Sequence, residues 1–169
     1  MTRLSAGAEL DEIEAVYRRR LRELQRVATA ITGSREAGCD AVQDAFARAV
    51  HRRAEFRREG SLEGWLWRIV VSCSRDVAER LAAGRALPFD EDDDPGPFAA
   101  ADRGELDQDV RGLVAELPER QRHALFLRYY ADLDYGTIGD VLEISGGTVG
   151  ATLNQARENL RRLLMEVSR

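Results

Sequence analysis

Apolar residues recur every three or four positions through the first part of this chain, a spacing that places them on one face of an α-helix. Between about Leu10 and Thr32 this face consists of Ile13, Val16, Tyr17, Leu24, Val27, Ala28 and Ile31. Gly33 is expected to end this helix, and Ser34 to cap the next one. The pattern therefore predicts that the first part of the chain folds into helices.

Two more helices are predicted to complete this first unit. The second runs to about Ala54, with an inner face of Val42, Ala45, Phe46, Ala49 and Val50. Ser61 caps the third, which continues to about Arg80 and whose apolar side is Leu62, Trp65, Leu66, Ile69, Val70, Cys73 and Val77. Three amphipathic helices of this length predict a compact bundle over residues 1–81.

Residues 82–104 break the helical pattern. They contain three of the four prolines of the chain and the acidic run from Asp90 to Asp94. This composition predicts a flexible or extended acidic linker. Its carboxylates could mimic a nucleic-acid strand, but composition alone favours the plainer alternative, a solvated spacer.

Residues 105–169 are predicted to form a second helical unit. Pro118 suits the first turn of a helix that follows an apolar segment ending at Leu117. A closing helix is predicted from about Gly147 to Val167, with an inward face of Val149, Leu153, Ala156, Leu160, Leu163 and Leu164. The predicted fold class is all-α, with two small helical domains joined by a flexible acidic linker.

The charges are distributed unevenly along the chain. Formal net charge is −5, all 25 basic residues are arginine, and the acidic excess lies in residues 79–110. The negative net charge of the whole chain therefore does not exclude nucleic acid as a partner of its N-terminal or C-terminal part. No stretch approaches the ~20 apolar residues that a membrane helix needs, and the N-terminus lacks the apolar core of a signal peptide, so we expect no membrane insertion and a cytoplasmic location.

Cysteine and histidine, which often hold metals, occur only twice each. Cys39, Cys73, His51 and His123 have none of the short spacings that zinc sites use, so no metal is expected. The histidines sit in helical patterns without a nucleophile or a carboxylate cluster at a telling distance. We expect no cofactor, no catalytic residue and no enzymatic activity.

Residues 134–164 predict a helix-turn-helix. A short helix carries Ile138, Val141 and Leu142 inward, and a tight turn follows from Glu143 to Gly147. A longer helix then begins at Thr148. In this motif the second helix enters the major groove of DNA and the first braces it.

The motifs around this hairpin resemble region 4 of the sigma-70 family of transcription initiation factors. The matching positions are Leu117-Pro118, Arg122, Leu127-Arg128, Leu133, Tyr135, Ile138, Leu142, Ser145, Gly147-Thr148-Val149, Leu153, Ala156-Arg157 and Leu160. The segments AVQDAFARAV (41–50) and SLEGWLWRIVVSCSRD (61–76) resemble region 2 of the same family. With no other sigma region between them, the chain resembles the small extracytoplasmic-function group.

The resemblance implies partners and a division of labour. Core RNA polymerase and promoter DNA are the expected partners, and an anti-sigma factor is a further one. Region 2 would open the −10 element, region 4 would read the −35 element, and the linker would lead toward the RNA exit path. The expected function is that of an alternative sigma factor. The alternative is a sigma-like interaction protein that binds polymerase but has lost efficient promoter recognition.

In region 4, the helix that should enter DNA is short of charge. Gly150 and Ala151 replace the basic or polar residues that the family usually has there. Because Asn and Gln can pair with adenine and Thr can contact thymine or phosphate, base readout remains possible without cations. The residues expected to contact the −35 element are Arg128, Ser145, Thr148, Thr152, Asn154, Gln155 and Arg157.

Other departures from the family pattern also predict a weak hold on DNA. Glu143 occupies the position of the usual turn glycine, where a left-handed backbone costs about 1 kcal/mol. Gly136 and Gly139 are expected to weaken the bracing helix by up to about 1 kcal/mol each. Val71 and Ser72 replace an Arg-Asn pair of region 2. Polymerase is therefore expected to supply most of the hold.

In region 2, aromatic residues adjoin arginines, a composition that suits single-stranded DNA. The segment from Phe56 to Glu63 is expected to capture a flipped base. Trp65 is expected in the core and Trp67 to be exposed. The residues expected to contact the −10 element are Phe56, Arg57, Arg58, Ser61, Trp67, Arg68, Ser72 and Arg75.

The second helix carries the expected polymerase contact. Asp40, Gln43 and Asp44 lie on its outer face, because Val42, Ala45 and Phe46 point inward. An ordinary solvated face is the alternative; the resemblance favours contact with the clamp helices of polymerase.

Overall fold

The computed structural model describes residues 7–85 and 108–167. The chain divides into two compact units, Met1–Pro88 and Phe89–Arg169. The described residues form seven α-helices and one short 3₁₀ turn, with no strand among them, so the predicted all-α fold class is confirmed. None of the described helices is long and apolar enough to cross a membrane.

The first unit contains α1 (Leu10–Thr32), α2 (Arg35–His51) and α3 (Leu62–Arg85), with a 3₁₀ turn at Arg53–Glu55. Gly33 ends α1 in the left-handed conformation at φ 75°, where a residue without a Cβ is not strained. The hydroxyl of Ser34 accepts from the backbone N–H of Ala37 at 3.3 Å, and that of Ser61 from Gly64 at 2.9 Å. These stops and caps are as the sequence predicts.

The core of the first unit is formed by the predicted apolar faces of its three helices. Its buried residues include Leu24, Val27, Ala28, Val42, Ala45, Ala49, Leu66, Val70 and Cys73. Val50 was expected in this core but is exposed, because α2 ends at His51 and the chain turns away there. Packing of this kind is the main favourable contribution to folding.

An ion-pair network connects α1 to the start of α3. The carboxylate of Glu63 accepts from Arg20 Nε at 2.8 Å and from Arg19 Nη2 at 2.9 Å. Two guanidinium groups thus converge on one half-buried carboxylate. The network adds a polar contact between α1 and α3 to the packing of their apolar faces.

Helix α3 continues five residues beyond its expected end at Arg80 and enters the stretch predicted as linker. Residues 82–85 are helical, and residues 86–104 of the predicted linker lie outside the described residues. The domain boundary at residue 81 therefore stays a prediction. Because Ala, Leu, Glu and Arg favour helices, the extension agrees with the local sequence AERLAAGR.

The second unit contains α4 (Gln108–Ala115), α5 (Glu119–Tyr129), α6 (Tyr135–Leu142) and α7 (Gly146–Val167). Pro118 immediately precedes α5. The core is formed by Leu113, Leu117, Ala124, Leu127, Leu133, Ile138, Val149, Leu153 and Ala156. Leu164 was predicted to face inward but is 43% exposed, since α7 runs on beyond Ala156, its last fully buried residue.

The turn between α6 and α7 depends on Gly139 and Glu143. Glu143 adopts the left-handed conformation at φ 58°, as its position in place of a glycine predicts. A Cβ on Gly139 would lie 2.6 Å from the carbonyl oxygen of Ile144, too close for any side chain. Gly139 was expected only to weaken α6; instead it allows the turn to pack against that helix.

Candidate nucleic-acid and polymerase interfaces

Side-chain caps define the start of both helices of the α6–α7 hairpin. The Asp134 carboxylate accepts from the N–H and the hydroxyl of Thr137, both at 2.9 Å, and these bonds lower its pKa. The Ser145 hydroxyl accepts from the N–H of Thr148 at 3.2 Å and lies 2.8 Å from the Thr148 hydroxyl. Ser145 and Thr148 are exposed at the start of α7, and the amino-terminal end of a helix is a position that favours anions.

The predicted readout residues of α7 are not all accessible. Asn154 and Gln155 are exposed, as is Ala151 one turn before them. Thr152 is only 7% exposed, and its hydroxyl donates to the carbonyl of Thr148 at 2.8 Å. The expectation that Thr152 reads bases is wrong, because this side chain packs inward and bonds to its own helix.

Arg157 is held in a defined position on α7. Its Nε donates to the Tyr129 hydroxyl at 3.0 Å and its Nη1 to Asn154 Oδ1 at 3.1 Å. The bond to Tyr129, followed by weaker interactions with Tyr135, raises the pKa of Arg157. Arg157, Asn154 and Tyr129 thus form one connected polar cluster.

Tyr129 was missed by the sequence analysis. Its side chain is 59% exposed, and its ring centroid lies 6.0 Å from the guanidinium carbon of Arg157. The available signal was a tyrosine directly after Arg128 at the end of an amphipathic helix. Its hydroxyl accepts the Arg157 hydrogen bond and retains a proton that it can donate.

Arg128 also contributes to the local structure. Its Nη1 donates to Asp132 Oδ1 at 2.7 Å and to the carbonyl of Leu133 at 3.3 Å. Asp132 stands in the left-handed conformation at φ 49°. Arg128 therefore spans the turn from α5 to α6, and any phosphate contact would share a guanidinium already bonded to this turn.

In the first unit, two predicted aromatic contacts are buried. Trp67 is 0% exposed, on the same side of α3 as Val70 and Val71, and its Nε1 has no hydrogen-bond partner among the described residues. Phe56 is buried against Trp65, with ring centroids 5.5 Å apart. Both were expected to meet DNA and neither side chain is accessible, so those assignments are wrong. Trp65, expected in the core, is half-buried and is the more accessible tryptophan.

The polar residues predicted to contact the −10 element fall in two places. Arg68, Ser72 and Arg75 are exposed and follow one another along α3 at helical spacing, so they share one stripe. Arg57 is exposed in the loop before α3, whereas the guanidinium of Arg58 is bonded to Gly7 and Glu12. Ser61 is exposed and caps α3.

The predicted polymerase contact lies along a shallow groove between α2 and α3. Asp40, Gln43 and Asp44 are exposed. They line the groove together with Ala37, Ala47, Val77, Arg80 and Leu81. Asp44 pairs with Arg48 at 3.2 Å, and Arg48 lies 3.6 Å from Asp76 of α3. The groove combines carboxylates with apolar side chains, and its α3 residues were not predicted.

Both cysteines are free thiols. Cys73 is buried, and burial raises its pKa, which favours the protonated form. Cys39 is half-buried. Among residues 7–85 and 108–167, no group of three or more potential ligands is close enough to hold a metal ion.

Comparison with known proteins gives the same two regions in the same order. Sigma-70 region 2 matches residues 16–83, and sigma-70 region 4 matches residues 107–160. The ECF RNA polymerase sigma factor SigM of Mycobacterium tuberculosis is 31% identical over 157 residues, which are 89% of this chain and 76% of that protein. The ECF RNA polymerase sigma factor SigE of Mycolicibacterium smegmatis is 29% identical over 95% of this chain and 65% of its own length.

A solved structure shares the fold. The sigma factor RpoE in complex with the anti-sigma factor NepR, from Bartonella quintana, has a TM-score of 0.65 at 21% identity, over 92% of this chain and 98% of that one. The matched regions and the 31% identical relative lead to one assignment. The chain belongs to the sigma-70 family of RNA polymerase sigma factors, in its extracytoplasmic-function group.

Proposed function

We propose that this chain is an alternative sigma factor that binds core RNA polymerase and directs transcription from a specific set of promoters. The observation that carries the proposal is the presence of sigma-70 regions 2 and 4, in that order, in one chain. Sigma factors are initiation factors rather than enzymes, and we infer no catalytic activity of its own. We also infer that it acts in the cytoplasm, where bacterial polymerase works.

Core polymerase would bind at the groove between α2 and α3. The exposed carboxylates of Asp40 and Asp44, with the amide of Gln43, offer acceptors and a donor on one helix face. Val77 and Leu81 add apolar surface beside them. Protein interfaces usually combine apolar and polar surface in this way.

The −10 element would bind along the exposed stripe of α3 and the loop before it. Arg68 and Arg75 can follow the phosphates of a separated strand, and Ser72 lies between them. The half-buried Trp65 provides an aromatic edge near the same loop. Arginines beside an aromatic ring are suited to a single strand.

The −35 element would be read by the exposed face of α7. Asn154 and Gln155 supply amides that can pair with adenine, and Ser145 and Thr148 lie at the helix start. Arg157, held by Tyr129, supplies a cation on this face. Because so few cations take part, the DNA affinity of the free chain should be low and only weakly salt-dependent.

An anti-sigma factor is a further proposed partner. The solved relative was found in complex with one. The groove between α2 and α3 is a natural target, because a protein that covers it would exclude polymerase.

Reconstitution with core polymerase on a library of genomic fragments tests the proposed function. We expect new transcription start sites that share two spaced sequence elements and that disappear when the chain is omitted. Binding to core polymerase without any new start site would instead favour an antagonist, and absence of binding would refute both functions.

A further inference from the structure

The loop before α3 is tied to the start of the described chain. The backbone N–H of Ala8 donates to the carbonyl of Arg53 at 2.9 Å, and Arg58 Nε donates to the carbonyl of Gly7 at 3.1 Å. Arg58 Nη1 and Nη2 reach the two oxygens of Glu12 at 3.3 Å and 2.8 Å. One guanidinium therefore joins the loop both to the backbone before α1 and to its first turn.

The backbone on both sides of this contact has a positive φ. Arg58 stands at φ 57°, a left-handed conformation that residues with a Cβ rarely adopt. Gly7 stands at φ 129°, and a Cβ there would lie 2.8 Å from the carbonyl oxygen of Arg53. A strained residue such as Arg58 persists where surrounding contacts over-determine it, and such residues cluster at functional sites.

Glu12 is also held by a hydrogen bond at the start of α1. Its Oε2 accepts from the backbone N–H of Glu9 at 2.9 Å, as part of the capping box of α1. The Arg58 hydrogen bond, followed by this backbone bond, lowers the pKa of Glu12, so its carboxylate is charged at neutral pH. Helix α1 thus presents an oriented anion to the loop.

We propose that Glu12 and Arg58 are positioning residues that hold the loop Phe56–Ser61 in the conformation that binds DNA. In this proposal the residue of the loop whose positive charge contacts DNA is Arg57. The assignment rests on the proposed function and revises the expectation that Arg58 itself contacts DNA. Arg57 is adjacent and exposed, and it forms no ion pair with the part of the chain that the structure describes. Its charge is therefore available, whereas that of Arg58 is matched by Glu12.

A charge exchange separates positioning from direct contact. Arg58→Glu and Glu12→Arg should each reduce promoter opening about tenfold, measured by permanganate reactivity with core polymerase, because like charges then face each other. The double variant carrying both changes should recover several-fold relative to either single variant, since the ion pair is restored with reversed sign, whereas the Arg58–Gly7 and Glu9–Glu12 hydrogen bonds are not. If the double variant stays as low as Arg58→Glu, the Glu12–Arg58 ion pair does not position the loop and the proposal is overturned.

The matched control is the Glu14–Arg18 pair, which lies on α1 with its charged atoms 2.6 Å apart. The same exchange at these positions should leave promoter opening unchanged. Arg57→Gln should reduce opening about tenfold without affecting core binding. Normal opening with Arg57→Gln would remove that residue from the proposal.

Amide hydrogen exchange on the free chain tests the clamp independently of transcription. Residues 56–61 should exchange several-fold faster in Arg58→Glu and Glu12→Arg, more slowly in the double variant than in either single variant, and at the original rate in Arg57→Gln. If the unaltered chain supports no promoter-specific transcription, the proposed function fails while this measurement still decides the clamp. Equal exchange in Arg58→Glu and in the unaltered chain would refute the clamp.

Discussion

Asp134 shows how one side chain sets the start of a helix. Its two oxygens accept from the backbone and the hydroxyl of Thr137, so two donors at the first turn of α6 are satisfied by one carboxylate. The charge also interacts favourably with the amino-terminal end of the helix dipole. Both effects need the ionised form, which makes this cap dependent on pH.

We expect Asp134→Ala to reduce the stability of the second unit by about 1 kcal/mol at pH 7. Since folding lowers the pKa of Asp134 from its ordinary 3.8, the contribution is complete above that value and is lost as pH falls through the lower folded value. Urea unfolding of the variant and the original chain at pH 7 and pH 2.5 measures the change. Glu116→Ala, at an exposed position of the same unit, serves as the control. An equal loss at both pH values would show that the charge does not matter.

The sequence was least informative about the burial and the partners of individual side chains. Trp65 and Trp67 both adjoin apolar positions, and only the actual packing of α3 shows that Trp67 is the buried one. Thr152 is polar and lies beside Asn154, yet its hydroxyl bonds to Thr148. Arg58 belongs to a basic loop, but its partner Glu12 is 46 positions away. Each outcome depends on contacts between segments, which periodicity does not specify.

At the scale of elements, the hairpin of α6 and α7 is fixed by a close backbone approach. From the sequence alone, Gly139 is expected to weaken α6, because the intrinsic helix propensity of Ala is more favourable by about 1 kcal/mol. The carbonyl of Ile144 reverses that preference, since it occupies the space of a Cβ. Here tertiary packing outweighs local propensity.

The same substitution, Gly to Ala, should therefore change the stability of the second unit in opposite directions at two positions. Gly139→Ala should destabilise the second unit by about 2 kcal/mol or more, because the turn must move away from α6. Gly112→Ala should stabilise it by up to about 1 kcal/mol, because a Cβ on this exposed residue of α4 meets nothing within 4 Å. Thermal unfolding of both variants measures the two shifts. A stabilising Gly139→Ala would mean that the turn is not packed as described.

The exposed face of α7 makes a second prediction at this scale. Asn154→Ala combined with Gln155→Ala should reduce the preference for a native promoter over one with an altered −35 element by about tenfold or more, since each amide–adenine pair discriminates by about 1–3 kcal/mol. Run-off transcription on both templates gives this ratio, and core affinity should not change. Glu158→Ala, at an exposed position of the same helix, should affect both templates alike. An unchanged ratio in the double variant would refute base readout by these two residues.

The elements themselves were largely predictable. Gly33, Ser34 and Ser61 mark helix ends because their chemistry acts locally, through a missing Cβ or a hydroxyl acceptor. The end of α3 was placed too early, at Arg80, because the glycine and prolines that follow suggested a linker. A helix with favourable residues continues until something stops it, and α3 is helical through Arg85, where the described residues of the first unit end.

At the scale of the whole molecule, the two matched regions account for most of the chain, while the acidic excess lies between them. Because the chain has a net charge of −5, it is on average repelled by the negatively charged phosphates of DNA. Attachment to a larger enzyme overcomes this repulsion by raising the local concentration of each region near the promoter. The proposed polymerase contact is therefore central to the function of the chain.

Asp44→Arg should weaken binding to core polymerase by about tenfold or more, because it places a repulsive charge in the groove beside Arg48. Glu14→Arg is a matched control: it makes the same charge change and breaks a comparable i,i+4 pair on α1. Fluorescence titration with core polymerase measures both affinities. Equal affinities in the two variants would exclude Asp44 from the interface.

The hydrogen bonds of Arg157 to Tyr129 and Asn154 affect the thermodynamics of DNA binding. A free arginine side chain gives up as much as about 2 kcal/mol of rotamer entropy when it is immobilised. Arg157 has already lost part of that freedom in the unbound chain. A helix with few cations can thus make efficient use of this one, because little ordering remains to oppose its contact with a phosphate.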